Sequence, residues 1–396
     1  MIASRRFIVL LAATIAVTPM AVDLYLPAIP TIAADFLVDD ARIAVTVSLY
    51  MFGLVLGQLV AGPLSDRFGR KPVMLAGLWV FALASALISM TESWQGFWAL
   101  RVLQALSGGV AVVGVPAIVR DRASGKDAAK MLAAIGLIMV MAPAAAPALG
   151  SIILALADWR WMFIFLAAYA LLVSIAVLRG LPSAKSASPS CGDLGWVASY
   201  LMVLKNRQAL GYMLAQGCAF GVMLTFVVNA SYLYQVHFEL SNTQFSTLFA
   251  INILAMAILN RVNVYWLNRH DVEHLALRGI IMQGCGALWF LGMAMLAAPL
   301  PLVALGIVLV VGSQGVLMPN STAASLKPFA AQAGVASATL GSMRYLLGAS
   351  ISGFSSLFQH GSIWPMAGIM VAGSIGALAA IYWARGASEN LQYATP

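Results

Sequence analysis

The sequence predicts an all-α integral membrane protein with twelve transmembrane helices in two six-helix bundles. Of its 396 residues, 62% are hydrophobic and only 9% are charged, and the sequence contains twelve long apolar runs. Soluble domains carry about 25% charged residues, and a helix needs about 20 apolar residues to cross a bilayer. The composition therefore excludes a soluble enzyme or a soluble binding domain.

The twelve runs are all long enough to be membrane spans. The first follows Arg5 and Arg6 and begins like a signal peptide, but it continues to Ile29, so we expect it to stay as the first helix. The predicted spans are 7–30, 42–62, 72–90, 96–119, 131–157, 161–179, 208–236, 243–261, 276–298, 302–325, 334–358 and 363–384.

A polar stretch divides the spans into two sets of six. We predict an N-terminal bundle over 1–181, a cytoplasmic linker over 182–207, and a C-terminal bundle with a short tail over 208–396. The linker is rich in serine and proline, which is typical of a connecting segment, and a short surface helix fits within it.

The basic residues predict the orientation. With the N-terminus in the cytoplasm, 18 of the 22 Lys and Arg residues fall in inside segments, and only Arg42 and Arg160 fall outside. Cytoplasmic segments of membrane proteins carry this excess of Lys and Arg. Both termini are therefore expected to be cytoplasmic. The net charge of +8 reflects this asymmetry, and no nucleic-acid partner is indicated.

Three ionisable residues fall inside the predicted spans: Asp23, Arg101 and Arg344. A charge at the bilayer centre costs between about 3 and more than 10 kcal/mol, so each is expected to be functional or paired. Asp23 lies about 26 Å along the first span from the inside, and Arg101 about 7 Å into the fourth from the outside. The two are expected at similar depth in one bundle. Gln104 shares the helix face of Arg101.

The stretch from Gly62 to Lys71 reads G-P-L-S-D-R-F-G-R-K and joins the second and third spans. We predict a short basic loop, with Gly62 and Gly69 suited to a tight reversal and Pro63 and Pro72 at the helix ends. The stretch resembles the loop signature G-x-L-[SA]-D-R-x-G-R-[KR] of the major facilitator superfamily. That resemblance implies the major facilitator fold.

Further motifs resemble the drug:proton antiporter branch, and in particular the Bcr/CflA family of bicyclomycin and chloramphenicol exporters. Asp23-Leu-Tyr-Leu-Pro-Ala-Ile-Pro30 is similar to the family's first-helix motif, and Arg101 to Gly108 fits R-x-x-Q-x-x-x-G. The fifth span carries Pro143, Pro147 and Gly150 where antiporters have G-x-x-x-G-P-x-x-G-G. Alanines replace its first glycines and Ser151 the last, but close helix packing is still expected.

The resemblance also implies a conformational latch on the cytoplasmic side. Asp66 would bond to helix ends of the other half, and Arg67, Arg70 and Arg120 would join its charge network. Plain anchoring of the loop explains the arginines equally well, but it does not explain Asp66.

Polar residues on apolar spans are the candidates for a substrate cavity. The candidates are Tyr25, Tyr50, Gln104, Asn229 and Arg344, with Tyr232 and Tyr234 placed either there or in an interfacial belt. Arg344 lies about 15 Å into its span, near the midplane. We expect it to contact substrate or a carboxylate and to favour neutral, zwitterionic or anionic compounds over cations. The alternative is a structural bond to the carbonyls of a broken helix.

The residues and the resemblance together predict a proton-coupled exporter of small amphipathic drugs or metabolites, with Asp23 and Arg101 coupling transport to protons. A proton-coupled uptake symporter on the same fold is the alternative. The sequence shows no nucleotide-binding loop, no clustered catalytic groups, no metal-ligand spacing and no channel filter repeat. We therefore expect no cofactor and no metal, and the proton gradient as energy source. We expect a monomer in the lipid bilayer of a bacterial inner membrane.

Overall fold

The computed structural model describes residues 5–115, 118–119, 125–181, 196–356, 358 and 362–392. The described residues form helices and contain no β-strand. Nine of the described helical segments are long and apolar enough to cross a bilayer. The other three predicted spans are helical over Trp94–Val112, Gly125–Leu156 and Ala333–Ser356. The prediction of an all-α membrane protein is confirmed.

Packing divides the chain into two compact units. Unit 1 comprises Met1–Pro189 and Tyr234–Ala250, and unit 2 comprises Ser190–Leu233 and Ile251–Pro396. Unit 1 therefore includes a segment that follows residue 207 in the sequence. The domain boundaries placed at residues 181 and 207 stay predictions.

Within the described residues, seven helices of seven or more residues precede the linker and build most of unit 1. In chain order they are α1 (Arg5–Asp23), α2 (Ile29–Asp35), α3 (Asp40–Phe68), α4 (Arg70–Ser89), α5 (Trp94–Val112), α6 (Gly125–Leu156) and α7 (Arg160–Gly180). Helix α5 packs against α3 and α4, α4 packs against α7, and α1 packs against α6. Small residues allow the close approach: a Cβ added at Gly109 would lie 2.5 Å from the carbonyl oxygen of Leu54.

The first predicted span is a broken helix rather than one continuous helix. Helix α1 ends at Asp23, a short 3₁₀ turn covers Leu26–Ala28, and α2 begins at Ile29. Proline explains the break, because Pro27 has no amide hydrogen to donate to the carbonyl of Asp23 one turn earlier, and Pro30 follows. The helical segment reaches Asp35, beyond the predicted end of the first span at residue 30.

The basic stretch between the second and third spans is helical, so the predicted loop is wrong. Helix α3 continues through Pro63 to Phe68, and α4 begins at Arg70. Only Gly69 leaves the helical conformation, with φ 90° and ψ 153°, a region that is essentially restricted to glycine. Pro72 lies in the first turn of α4, where backbone N–H groups have no intrahelical acceptor. A single residue therefore makes the turn.

The remaining helices lie mainly in unit 2. They are α8 (Trp196–Lys205), α9 (Arg207–Ser231), a π-helix (Tyr232–His237), α10 (Asn242–Trp266), α11 (Val272–Met295), α12 (Leu300–Leu326), α13 (Ala333–Ser356) and α14 (Trp364–Gln392). The π-helix and α10 each contain residues of both units. Helix α9 packs against α13 and α14, and α11 packs against α12. Helix α8 confirms that the linker region contains a short helix, and its Val203 is buried against Ala209 and Met213 of α9.

Candidate functional site

Arg101 is fully buried in the middle of unit 1. It lies two turns into α5, a helix whose N-terminus is capped by the Ser93 hydroxyl accepting from the Gly96 amide. Its Nη1 donates to the carbonyl oxygen of Ala21 at 3.0 Å and to Oε1 of Gln104 at 2.6 Å. The first bond joins α5 to α1, and the second fixes the side chain along its own helix.

The rest of the guanidinium faces aromatic rings. Its Cζ lies 4.3 Å from the centroid of the Tyr25 ring, 4.7 Å from that of Tyr50 and 5.8 Å from that of Phe163. A cation–π contact stabilises a desolvated cation by on the order of 2 kcal/mol. The Nε and Nη2 atoms of Arg101 are buried and have no hydrogen-bond partner among the described residues. Two donors of a buried cation are therefore unused in this conformation.

Side-chain hydrogen bonds hold these groups in place. Gln104 accepts from Arg101 and donates through Nε2 to the Ser85 hydroxyl at 2.7 Å. The hydroxyls of Tyr25 and Thr46 lie 2.8 Å apart in a second buried bond. Each of these groups has a fixed orientation before any ligand arrives.

Asp23 is the last residue of α1 and is 6% exposed. It follows by two residues the Ala21 carbonyl that Arg101 contacts, so the expected similar depth of Asp23 and Arg101 agrees with the geometry. Among the described residues, however, no ion pair links the two side chains within 4.0 Å. Arg101 instead contacts the backbone of α1.

The second charged site lies in unit 2 around Arg344 of α13, which is half-buried. Its Cζ lies 4.5 Å from the Tyr345 ring centroid and 5.3 Å from that of Phe220, and these two rings meet edge to face at 5.6 Å. Its Nη1 is 3.9 Å from the sulfur of Met318. The Nε atom is buried, and no described residue is its hydrogen-bond partner. Three helices, α9, α12 and α13, thus supply the surroundings of one arginine.

Another polar residue of unit 2 forms a hydrogen bond between helices. Asn229 donates to the Ser355 hydroxyl at 2.9 Å and to the carbonyl of Thr225, so this predicted cavity residue joins α9 to α13. Tyr234, which was predicted to lie either in the cavity or in an interfacial belt, is fully buried and packs against Phe245.

The fifth-span motif packs against the broken first helix. A Cβ at Gly150 would collide with the carbonyl oxygen of Leu24. Pro143 and Pro147 both lie inside α6, and the Pro147 carbonyl accepts from the Ser246 hydroxyl at 3.0 Å. The hydroxyls of Ser151 and Ser246 lie 2.6 Å apart. Ser151, which stands where the antiporter pattern has glycine, therefore makes a polar contact with α10.

The predicted latch is only partly described. Arg67 is exposed, with its Cζ 5.3 Å from the Phe68 ring centroid, and Arg70 is half-buried. Gly62 lies within α3 and Gly69 forms the turn. Arg120 and the side chain of Asp66 lie outside the described residues. The latch role of all these residues stays a prediction.

The sequence analysis missed the neighbours of both arginines. Phe163 contributes to the Arg101 site, and Phe220 and Met318 contribute to the Arg344 site. The chain has 17 phenylalanines and 20 methionines, and no spacing distinguishes these three from the others. Ser85, which accepts from Gln104, and Ser246, which contacts Ser151, carry no such signal either.

Comparison with known proteins decides the family. The sequence model of the Major Facilitator Superfamily matches residues 11–353. The chain belongs to the major facilitator superfamily. It is therefore a membrane transporter and not an enzyme, and the family prediction is confirmed.

Relatives of this facilitator span nearly its whole length. A bicyclomycin resistance protein homolog of Haemophilus influenzae is 29% identical over 98% of this chain and 97% of that protein. The multidrug resistance protein MdtL of Escherichia coli is 29% identical over 94% of each chain. An uncharacterized transporter of the superfamily from Bacillus subtilis, YdgK, is 30% identical over 91% of each chain.

Solved structures share the facilitator fold. The crystal structure of a D-xylose–proton symporter has a TM-score of 0.75 at 15% identity and covers 96% of this chain and 97% of its own. The human organic anion transporter MFSD10 has a TM-score of 0.69 at 21% identity and covers 96% of this chain and 99% of its own. At these identities the likeness concerns the fold alone.

Proposed function

We propose that this transporter is a proton-coupled exporter of small amphipathic compounds, working by alternating access in a bacterial inner membrane with both termini in the cytoplasm. Two of its relatives are named for bicyclomycin and multidrug resistance, which favours drugs as cargo and export as direction. Substrate sites of this fold lie near the bilayer midplane between the halves that alternate.

The observation that carries the proposal is the buried Arg101 with two unused donors, placed beside the helix end that bears Asp23. An ionised carboxylate in a membrane interior needs a partner, whereas a protonated one is neutral and costs far less to bury. In our proposal Asp23 is protonated when it is not paired with Arg101, and it releases its proton when a conformational change brings the two together. Substrate binding shifts that balance.

The proton gradient supplies enough free energy for uphill export. Each proton moving inward yields about 2.3 kcal/mol per 100 mV of membrane potential, and about 1.4 kcal/mol more per pH unit. A tenfold substrate gradient costs about 1.4 kcal/mol, so one proton per cycle is sufficient.

The test is substrate flux in proteoliposomes with an imposed pH gradient, using chloramphenicol and bicyclomycin as probes. Asp23→Asn is expected to abolish gradient-driven uphill transport, because the amide cannot carry a proton, and to spare downhill exchange of the same probe. Glu92→Gln is the matched control, since Glu92 is an exposed acid of the same unit, and it is expected to transport at the wild-type rate.

Proton release gives the decisive measurement. Addition of a transported probe to the purified protein in detergent is expected to release protons from the wild type and not from Asp23→Asn. Equal release from both would remove Asp23 from the coupling role. Loss of binding in Asp23→Asn would make it a substrate contact instead.

A further inference from the structure

Among the described residues of unit 2, no acid forms an ion pair with Arg344. The helices α9, α10, α12 and α13 contain no Asp or Glu. The first turn of α11 carries Glu273, which pairs with Lys327 at 3.2 Å, and Asp271 beside it is 88% exposed. A cation within a membrane span needs compensating negative charge. The sequence of these helices does not supply that charge.

Arg344 also forms no strong hydrogen bond that would link its helix to another described helix. To the described residues it makes one weak contact, from Nη1 to the Met318 sulfur, and it donates to none of their backbone carbonyls. Its Nε is buried and has no hydrogen-bond partner among the described residues. The Nε and Nη2 edge of an arginine is a planar fork that matches the two oxygens of a carboxylate. No described residue supplies an acceptor to that edge of Arg344.

Open space and apolar side chains lie near Arg344. Gly341 lies one turn before Arg344 on α13, and a Cβ built there would have no atom within 4 Å. The Phe220 and Tyr345 rings flank the guanidinium at 5.3 and 4.5 Å, and Met318 closes a third side. Aromatic faces and a polarizable thioether accommodate flat apolar groups of varied shape.

From these contacts we infer that the Arg344 site recognises amphipathic anions that combine one carboxylate with a planar apolar ring system. The carboxylate accepts from Nε and Nη2 of Arg344, and the ring lies against Phe220 and Tyr345 above Gly341. This inference rests on the proposed function, and it narrows the substrate class from amphipathic compounds in general to aromatic acids and their close analogues.

Binding of three naphthalene probes tests it without any proton gradient. The probes are 1-naphthoate, its neutral amide, and 1-naphthylmethylammonium, which share one ring system and differ in charge. Purified wild-type protein is expected to bind the carboxylate at least about tenfold more tightly than the cation, with the amide between them. Arg344→Gln is expected to remove this preference, and Arg344→Lys to keep part of it. Arg261→Gln, an exposed arginine of the same unit, is the control and should bind like the wild type.

A second variant pair leaves the charge in place. Gly341→Leu fills the space beside Arg344 and is expected to weaken binding of all three probes, whereas Gly368→Leu, at another glycine with open space, is expected to leave binding unchanged. An anion preference that survives Arg344→Gln, or wild-type protein that prefers the cation, would overturn the inference. Binding that depends on Arg344 without gradient-driven flux would instead refute proton coupling, so the two proposals fail separately.

Discussion

Arg101 is stabilised as a cation without a paired carboxylate. Aromatic faces surround its Cζ, while one nitrogen donates to Ala21 and Gln104. Leaving a buried charged donor without its acceptor costs about 1–3 kcal/mol or more. Gln104 is therefore a positioning residue: its neutral amide oxygen accepts one hydrogen bond from Arg101, orients it, and leaves the unused donors free to find another acceptor.

A carboxylate at position 104 is expected to trap the arginine. Gln104→Glu replaces a neutral acceptor 2.6 Å from Nη1 with a charged one, which adds the attraction of a buried ion pair to the hydrogen bond. The apparent melting temperature in detergent should rise by a few degrees, while gradient-driven transport should fall at least tenfold. Gln104→Leu, which removes the acceptor, should lower both the apparent melting temperature and gradient-driven transport. A Gln104→Glu protein that is neither more stable nor slower would show that Arg101 does not move.

The break in the first span positions Asp23, and it depends on a neighbouring helix. Between α1 and α2 the chain makes a short 3₁₀ turn, and α6 approaches it at Gly150, where the Leu24 carbonyl occupies the space of a side chain. The fifth-span glycine is thus matched to a backbone oxygen of the first span. A Ser151 contact with α10 follows directly in sequence.

Gly150→Ala is expected to disturb this contact. The added methyl group collides with the Leu24 carbonyl, and such overpacking costs about 1–3 kcal/mol because the backbone must shift. Both the apparent melting temperature and transport should fall. Ala148→Leu adds more volume on the same helix at an exposed position and should change neither. Wild-type transport by Gly150→Ala would mean that the geometry of the break tolerates displacement.

The basic residues predict an orientation of the chain in the membrane, and thiol labelling can test it. With 18 of 22 Lys and Arg residues on the predicted inner side, Cys191 should face the cytoplasm, although it lies outside the described residues. In a background with Cys218 and Cys285 replaced by serine, a membrane-impermeant thiol reagent should label Asp39→Cys in intact cells and spare Cys191. Rapid labelling of Cys191 in sealed cells would reverse the topology.

Hydropathy and charge predicted the features that depend only on composition along the chain. They identified the spans, the three interior charges, and, through the motif around Asp66, the superfamily that was later confirmed. These features are encoded locally, because each span must be apolar by itself to enter the bilayer.

The sequence did not predict features that depend on which way a helix face points or on contacts between residues far apart in the chain. Helix α3 continues to Phe68 because charged residues such as Arg67 are good helix formers, so polarity alone did not mark the end of the helix. The neighbours of Arg344 come from three helices, and a single sequence does not reveal which face of each helix points inward. Pro27 lies at the break after Asp23, but a proline within an apolar run kinks a helix or ends it, and the sequence does not show which.

The broken first span has a consequence for how variation in this protein is read. Backbone oxygens near its break accept from distant side chains of unit 1, the Ala21 carbonyl from Arg101 and the Pro27 carbonyl from Gln235. Any amino acid supplies a carbonyl, so apolar replacements at position 21 would retain that acceptor and score as tolerated in a mutational scan. The intolerance would appear instead at the donors, tens to hundreds of residues away in sequence. Tolerance to replacement at a position therefore does not show that its backbone atoms make no important contact.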